Sequence, residues 1–182
     1  RWILDPVDGT KSFIHGVPLF GTLIGLEHRD QCVAGVCSFP PLDEIVWGSI
    51  GQGAFWSKGK ESPRRARVSN IANLGDALFC FTTIQGFGRI GRTDAFHKFV
   101  DSCGLARGWG DCYGHCLVAT GRAELLVDPL MNPWDIAALI PIVQEAGGHF
   151  IDWNGKTSIH SGNGISVNAE LRDAVLQVTR SK

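Results

Sequence analysis

The chain has 182 residues, 44% hydrophobic and 19% charged, with 17 basic against 18 acidic side chains and a net charge of −1. That is the composition of a globular protein large enough for one sizeable core, and its charge balance gives no electrostatic reason to expect nucleic acid or an anionic membrane as partner. No apolar run approaches bilayer-spanning length and no signal peptide opens the chain, so the expected setting is cytoplasmic.

Arg1 leads straight into an apolar strand, Trp2–Asp5, without an initiator Met; such a start predicts an N-terminal truncation. The strand runs into Asp5-Pro6-Val7-Asp8-Gly9-Thr10, a tight Pro/Gly turn carrying two carboxylates. Leu19–Glu27 and Cys32–Ser38 read as a hairpin around His28-Arg29-Asp30-Gln31, and Leu42–Ser49 and Gly53–Trp56 as further strands of a largely antiparallel sheet. Ser57–Arg67 is basic and polar, the pattern of an exposed loop.

The pattern then changes. Ala77–Thr83 reads as a strand, Thr93–Ser102 and Asp111–Gly121 as helices, and Glu124–Asp128 as a strand. Pro133–Ala146 has the strongest helical signature, with Asn132 as cap, Pro133 in the first turn, apolar Ile136, Leu139, Ile140 and Val143, and Gly147-Gly148 as a stop. His149–Asp152 and Gly164–Asn168 are strand-like, and Ala169–Thr179 is a closing helix. The fold class expected is mixed α/β, a strand-rich part followed by alternating strands and helices.

Six cysteines, mostly scattered singly among apolar residues, read as buried free thiols rather than a disulfide framework. Cys112, His115 and Cys116 have helical spacing, but no fourth ligand lies nearby for zinc. Gly86-Phe87-Gly88-Arg89-Ile90-Gly91 matches the dinucleotide fingerprint, with Asp111 near the distance of a ribose-binding acid. Thr82–Gln85 nevertheless separates these glycines from the strand, where a real fingerprint needs a tight turn, and a glycine-rich loop is the preferred reading.

DPVDGT carries more chemistry. A capped turn accounts for one Asp, not two. Asp5, Asp8 and the Val7 carbonyl can converge as hard oxygen ligands for Mg²⁺, while the backbone N–H groups of Gly9 and Thr10 open a helical turn suited to an anion. A metal beside an anion site indicates phosphate chemistry. Asp135, in Asn132-Pro133-Trp134-Asp135-Ile136-Ala137-Ala138, lies in a first helical turn, where the macrodipole alone favours it; beside DPVDGT it becomes the candidate third carboxylate.

DPVDGT followed by Lys11-Ser12-Phe13, and WDIAA followed by a helix ending Glu145-Ala146-Gly147-Gly148, resemble the two signatures of the inositol monophosphatase family. Gly110-Asp111-Cys112-Tyr113-Gly114 and Met131-Asn132-Pro133 resemble its histidinol-phosphatases. The resemblance implies one domain over residues 1–182, a layered αβαβα sugar-phosphatase fold, a homodimer, Mg²⁺ dependence and lithium sensitivity. It implies that Asp5 bridges metals, that Val7 lends its carbonyl, and that Asp8 and Asp135 hold a second ion. Gly9 and Thr10 would contact phosphate, the Thr10 hydroxyl orienting the attacking water. Paired glutamates and the threonine's acidic partner belong, in the family, to an upstream region absent here, so these 182 residues alone are expected to be nearly inactive. Asp128, seven residues before Asp135, takes the position of an acid that contacts the substrate's non-phosphate end. Asp111 is a second substrate-binding candidate, or else an N-cap for Tyr113 or Gly114. The function expected is histidinol phosphate hydrolysis by metal-activated water. Alternatives are an inositol-1-monophosphatase, a bisphosphate nucleotidase, or a catalytically impaired binding or regulatory module.

Overall fold

The computed structural model describes residues 1–180; the last two residues of the expected domain lie outside the described part. Eleven strands form two sheets. The first is a six-stranded antiparallel meander of β1 (Trp2–Asp8), β2 (Gly21–His28), β3 (Gln31–Phe39), β4 (Glu44–Ser49), β5 (Gly53–Lys58) and β6 (Arg64–Arg65). The second contains β7 (Leu78–Phe81), β8 (Leu105–Arg107), β9 (Leu125–Asp128), β10 (His149–Ile151) and β11 (Gly164–Val167), in the order β10-β11-β9-β7-β8. Its β7 pairs in parallel with β8 and β9, while β10 and β11 are antiparallel. The helices are α1 (Thr10–Ile14), α2 (Ile84–Arg89), α3 (Thr93–Ser102), α4 (Asp111–Ala119), α5 (Pro133–Ile136), α6 (Leu139–Glu145) and α7 (Arg172–Arg180).

Side-chain alternation places these layers. Helices α4 and α6 contact both sheets and fill the space between them. Along β7 and β9, Cys80 and Leu126 face Leu117 and Val118 of α4, whereas Phe79, Leu125 and Val127 face Phe87, Phe96 and Phe99 of α2 and α3. The chain is thus stacked sheet, helices, sheet, helices: the α/β layering expected, starting at a sheet. On β1, Trp2 and Leu4 are exposed (65% and 57%), as are Phe13 and Ile14 of α1. No described helix is long and apolar enough to cross a membrane.

Several expectations need correction. The first strand does not stop at Asp5: the ladder with β2 slips between Asp5 and Asp8, then resumes at Asp8–Gly21. Pro6, which has no N–H for the ladder, explains the bulge, and the Thr22 hydroxyl takes up the Pro6 carbonyl (2.8 Å). The glycine-rich stretch is not a loop, because Gly86–Arg89 lie inside α2. Arg64–Arg65 of the expected loop pair with β5, where Arg64 covers the Trp56 ring at 3.8 Å. Strand β8 gave too short an apolar run to be read. The cysteines are all free, but Cys103 is only half-buried. His115 is fully buried, with Nδ1 2.7 Å from the Ser166 hydroxyl and its ring against Phe150; burial pushes its pKa down to about 3.

The expected helix Pro133–Ala146 is interrupted between α5 and α6 at Ala137–Ala138, although both alanines keep helical dihedrals. Pro141 cannot donate to the Ala137 carbonyl, so one rung of the helix is missing. This junction lies directly on the first sheet. A Cβ built on Gly35 would fall 2.0 Å from the Ala138 carbonyl oxygen, and one on Gly25 2.7 Å from the Ala137 Cβ. Small residues on both sides therefore let the helix backbone touch the sheet. At the far end, the Glu145 carboxylate accepts from Gly51 and Gly53 N–H (2.8 and 2.7 Å), tying α6 to the β4–β5 turn. Gly35→Ala should therefore cost roughly 1–3 kcal/mol or more in urea unfolding through backbone overpacking. Gly88→Ala in α2, whose nearest neighbour would be 3.8 Å away, should be neutral or slightly stabilising. A Gly35→Ala protein as stable as the parent would disprove the close helix–sheet contact.

Candidate active site

The β1 bulge and the α5 start deliver three carboxylates to one point. Ligand oxygens of Asp5, Asp8 and Asp135 all lie within 4.8 Å of one another, the one such acidic group among the described residues. Each accepts a backbone N–H. Asp5 Oδ1 accepts the Val7 N–H (3.0 Å), closing the bulge over its own side chain. Asp8 Oδ2 accepts the Cys112 N–H from the first turn of α4 (2.6 Å). Asp135 Oδ2 accepts the Asn132 N–H (2.7 Å), so the capping role and the clustering coexist in one carboxylate.

Burial sets the electrostatics. Asp8 is raised to about 7, chiefly by desolvation, with the Asp111 and Asp135 charges adding and the Cys112 bonds opposing. Asp135 is raised by burial and by its close approach to Asp5, against the Asn132 bond. Carboxylates crowded without a counter-cation hold protons to higher pH, and a divalent cation would displace those protons. Three hard oxygen donors in this arrangement fit a hard divalent cation.

These residues line a cleft of about 320 Å³ together with Val7, Gly9, Thr10, Lys11, Asp111, Asn132 and Trp134. Gly9 takes φ +77°, and a Cβ there would fall 2.8 Å from the Leu19 carbonyl oxygen, so glycine is required both for the turn and for the close approach. Thr10 follows at the first position of α1, with its side chain exposed.

A second cleft of about 470 Å³ adjoins the first, sharing Lys11 and Asp111 and adding Ser12, Leu19, Thr82, Thr83, Gln85 and Arg89, among others. Asp111 stands where the clefts meet, with its carboxyl raised by burial. It does not cap α4 through its side chain; the N-cap position is Gly110, and Gly114 N–H bonds to the Gly110 carbonyl (3.1 Å). Asp128 is neither a solvated strand end nor a cleft-lining residue. It is 7% exposed, accepts from the Thr82 hydroxyl (2.8 Å) and Leu130 N–H (3.3 Å), and is raised to about 7 by burial. Gln85, Arg89 and Thr82 were missed as cleft residues because their place depends on the end of β7 and the start of α2 coming to lie beside Lys11, Ser12 and Leu19, which no local pattern reveals.

Comparison with known proteins fits this geometry. The sequence model of the inositol monophosphatase family matches residues 1–181. A histidinol-phosphatase of Chlorobaculum parvum is 47% identical over 91% of this chain and 62% of its own length. One from Mycobacterium tuberculosis is 38% identical over 97% of this chain and 68% of its own length. The chain thus spans a little under two thirds to about two thirds of these relatives. An inositol monophosphatase from Zymomonas mobilis superposes with a TM-score of 0.90 at 30% identity, over 99% of this chain and 70% of that one. By its motifs, its fold and this match along nearly its whole length, the chain belongs to the inositol monophosphatase family.

Proposed function

We propose that the protein is a Mg²⁺-dependent phosphomonoesterase that hydrolyses histidinol phosphate to histidinol and inorganic phosphate. The observation that carries the reading is the Asp5–Asp8–Asp135 cluster at the floor of a cleft that opens beside Gly9 and Thr10. Asp5, Asp8, Asp135 and the Val7 carbonyl would hold Mg²⁺. An ion held by these groups would supply Lewis-acid polarisation of the phosphoryl group, activation of water and stabilisation of the leaving alkoxide.

The chain's own groups do the rest. Gly9 and Thr10 present backbone N–H groups to the phosphate, and the Thr10 hydroxyl orients the attacking water in line with the leaving oxygen. The leaving group occupies the adjoining cleft. Histidinol carries an ammonium group, and Asp111, at the junction of the clefts, is the carboxylate placed to meet it. Asp128 lies behind Thr82 and acts on the site through that hydroxyl rather than by a direct contact. The histidinol-phosphatases named above support this substrate over inositol phosphates. One domain over residues 1–182, a homodimer, lithium sensitivity and a cytoplasmic setting belong to the same proposal.

Asp135→Asn should remove most activity at limiting Mg²⁺ while circular dichroism stays unchanged, since the ligand charge is lost but the shape kept. Near-normal turnover would reduce Asp135 to a helix cap. Asp111 adopts φ +52°, a conformation Asn tolerates, so Asp111→Asn isolates the charge. A charge-assisted contact worth about 1.5–3 kcal/mol predicts a loss in kcat/KM of roughly 10- to 150-fold for histidinol phosphate. Hydrolysis of p-nitrophenyl phosphate should change far less. Equal losses on both substrates would remove the physical basis of the histidinol assignment.

A further inference from the structure

Thr82 is absent from the motifs that identify the family, yet it joins the second sheet to the carboxylate cluster. It follows β7, and its hydroxyl has two partners of opposite character. It donates to Asp128 Oδ2 (2.8 Å) and accepts from the Asp111 N–H (3.0 Å). The buried Asp128 carboxylate takes the hydroxyl hydrogen and leaves a lone pair facing the amide. Asp111 takes φ +52°, a left-handed conformation that Asp adopts more readily than most residues with a Cβ, and the Thr82 hydroxyl holds its amide there. The backbone on either side is fixed too. A Cβ on Gly110 would lie 2.2 Å from Thr82 Cα, and the next amide, Cys112 N–H, donates to Asp8 Oδ2 at 2.6 Å.

We infer that Thr82 is a positioning residue for the cation site. Anchored by Asp128, it clamps the left-handed Asp111 so that the neighbouring Cys112 N–H aims the Asp8 carboxylate at the cluster. Asp8 sits after a bulge in β1 and is therefore not aimed by strand geometry alone. The Cys112 amide supplies its orientation across 104 residues of sequence, and Thr82 supplies the amide's. The functional half of this inference rests on the cation reading proposed above; the positioning half does not.

The test compares Thr82→Val, which keeps the shape and removes the hydroxyl, with Thr82→Ser, which restores it; Thr82→Ala is a second hydroxyl-less variant. In the metal-free protein, amide exchange by NMR should show Asp111 and Cys112 losing protection in the Val and Ala variants and keeping it in Ser. Calorimetric titration with Mg²⁺ should show roughly 10- to 100-fold weaker binding for Val and Ala, the range for lost support of a metal ligand, and about twofold or less for Ser. A fall in melting temperature with both amides and Mg²⁺ affinity unchanged would assign Thr82 a merely structural role and overturn the inference. If the parent protein bound no Mg²⁺, the cation reading would fail instead, and the Cys112 amide would still decide whether Thr82 positions it.

Discussion

The mutual repulsion of Asp5, Asp8 and Asp135, held within 4.8 Å of one another in a largely desolvated cleft, is the constraint around which this structure is arranged. Like charges at that distance are unfavourable unless protonated or neutralised by a cation. Folding alone would not select such a cluster, so its presence requires a scaffold stable enough to offset it. The β1 ladder, the Asn132 amide and the Cys112 amide each supply part of that opposition.

The scaffold works by letting backbones approach closely where side chains would normally keep them apart. Gly25 and Gly35 admit the Ala137–Ala138 junction to the sheet, which brings Asp135 to within reach of a strand it never pairs with. Glu145 fixes the other end of the same helical stretch through Gly51 and Gly53. On the opposite side, the Glu44–Arg122 ion pair, with Arg122 also over the Trp56 ring, links the first sheet to the segment after α4. The helix layer is therefore pinned to the first sheet at several separated points. A site whose ligands come from different elements needs that rigidity.

Much of this was legible in the sequence, for identifiable reasons. DPVDGT and WDIAA were readable because their chemistry is local: a proline and a glycine bracket the carboxylates, and a cap precedes Asp135. The hairpin of β2 and β3 was readable from its polar turn, where Arg29 and Asp30 take positive φ. What was not legible depended on distant packing. Gly86–Arg89 look like a loop by composition but fold as α2, where Phe87 is buried against Phe96 and Trp153. Asp128 reads as a strand end beside Pro129, yet the turn that follows buries it under Thr82. The long helix Pro133–Ala146 read as continuous because its apolar periodicity outweighed Pro141, whose missing N–H leaves one rung of the helix unmade.

The most direct test of the cluster as a cation site is the proton count on Mg²⁺ binding, measured calorimetrically in two buffers of different ionisation enthalpy. Burial holds the Asp8 proton up to about pH 7, and a bound cation requires the ionised carboxylate. Binding at about pH 6 should therefore release protons, the release should fade by about pH 8.5, and affinity should strengthen over the same interval as the competing protons leave. Mg²⁺ binding that released no protons at the lower pH, or whose affinity ignored pH across that window, would contradict the account that the ion displaces a proton from the crowded Asp8 carboxylate.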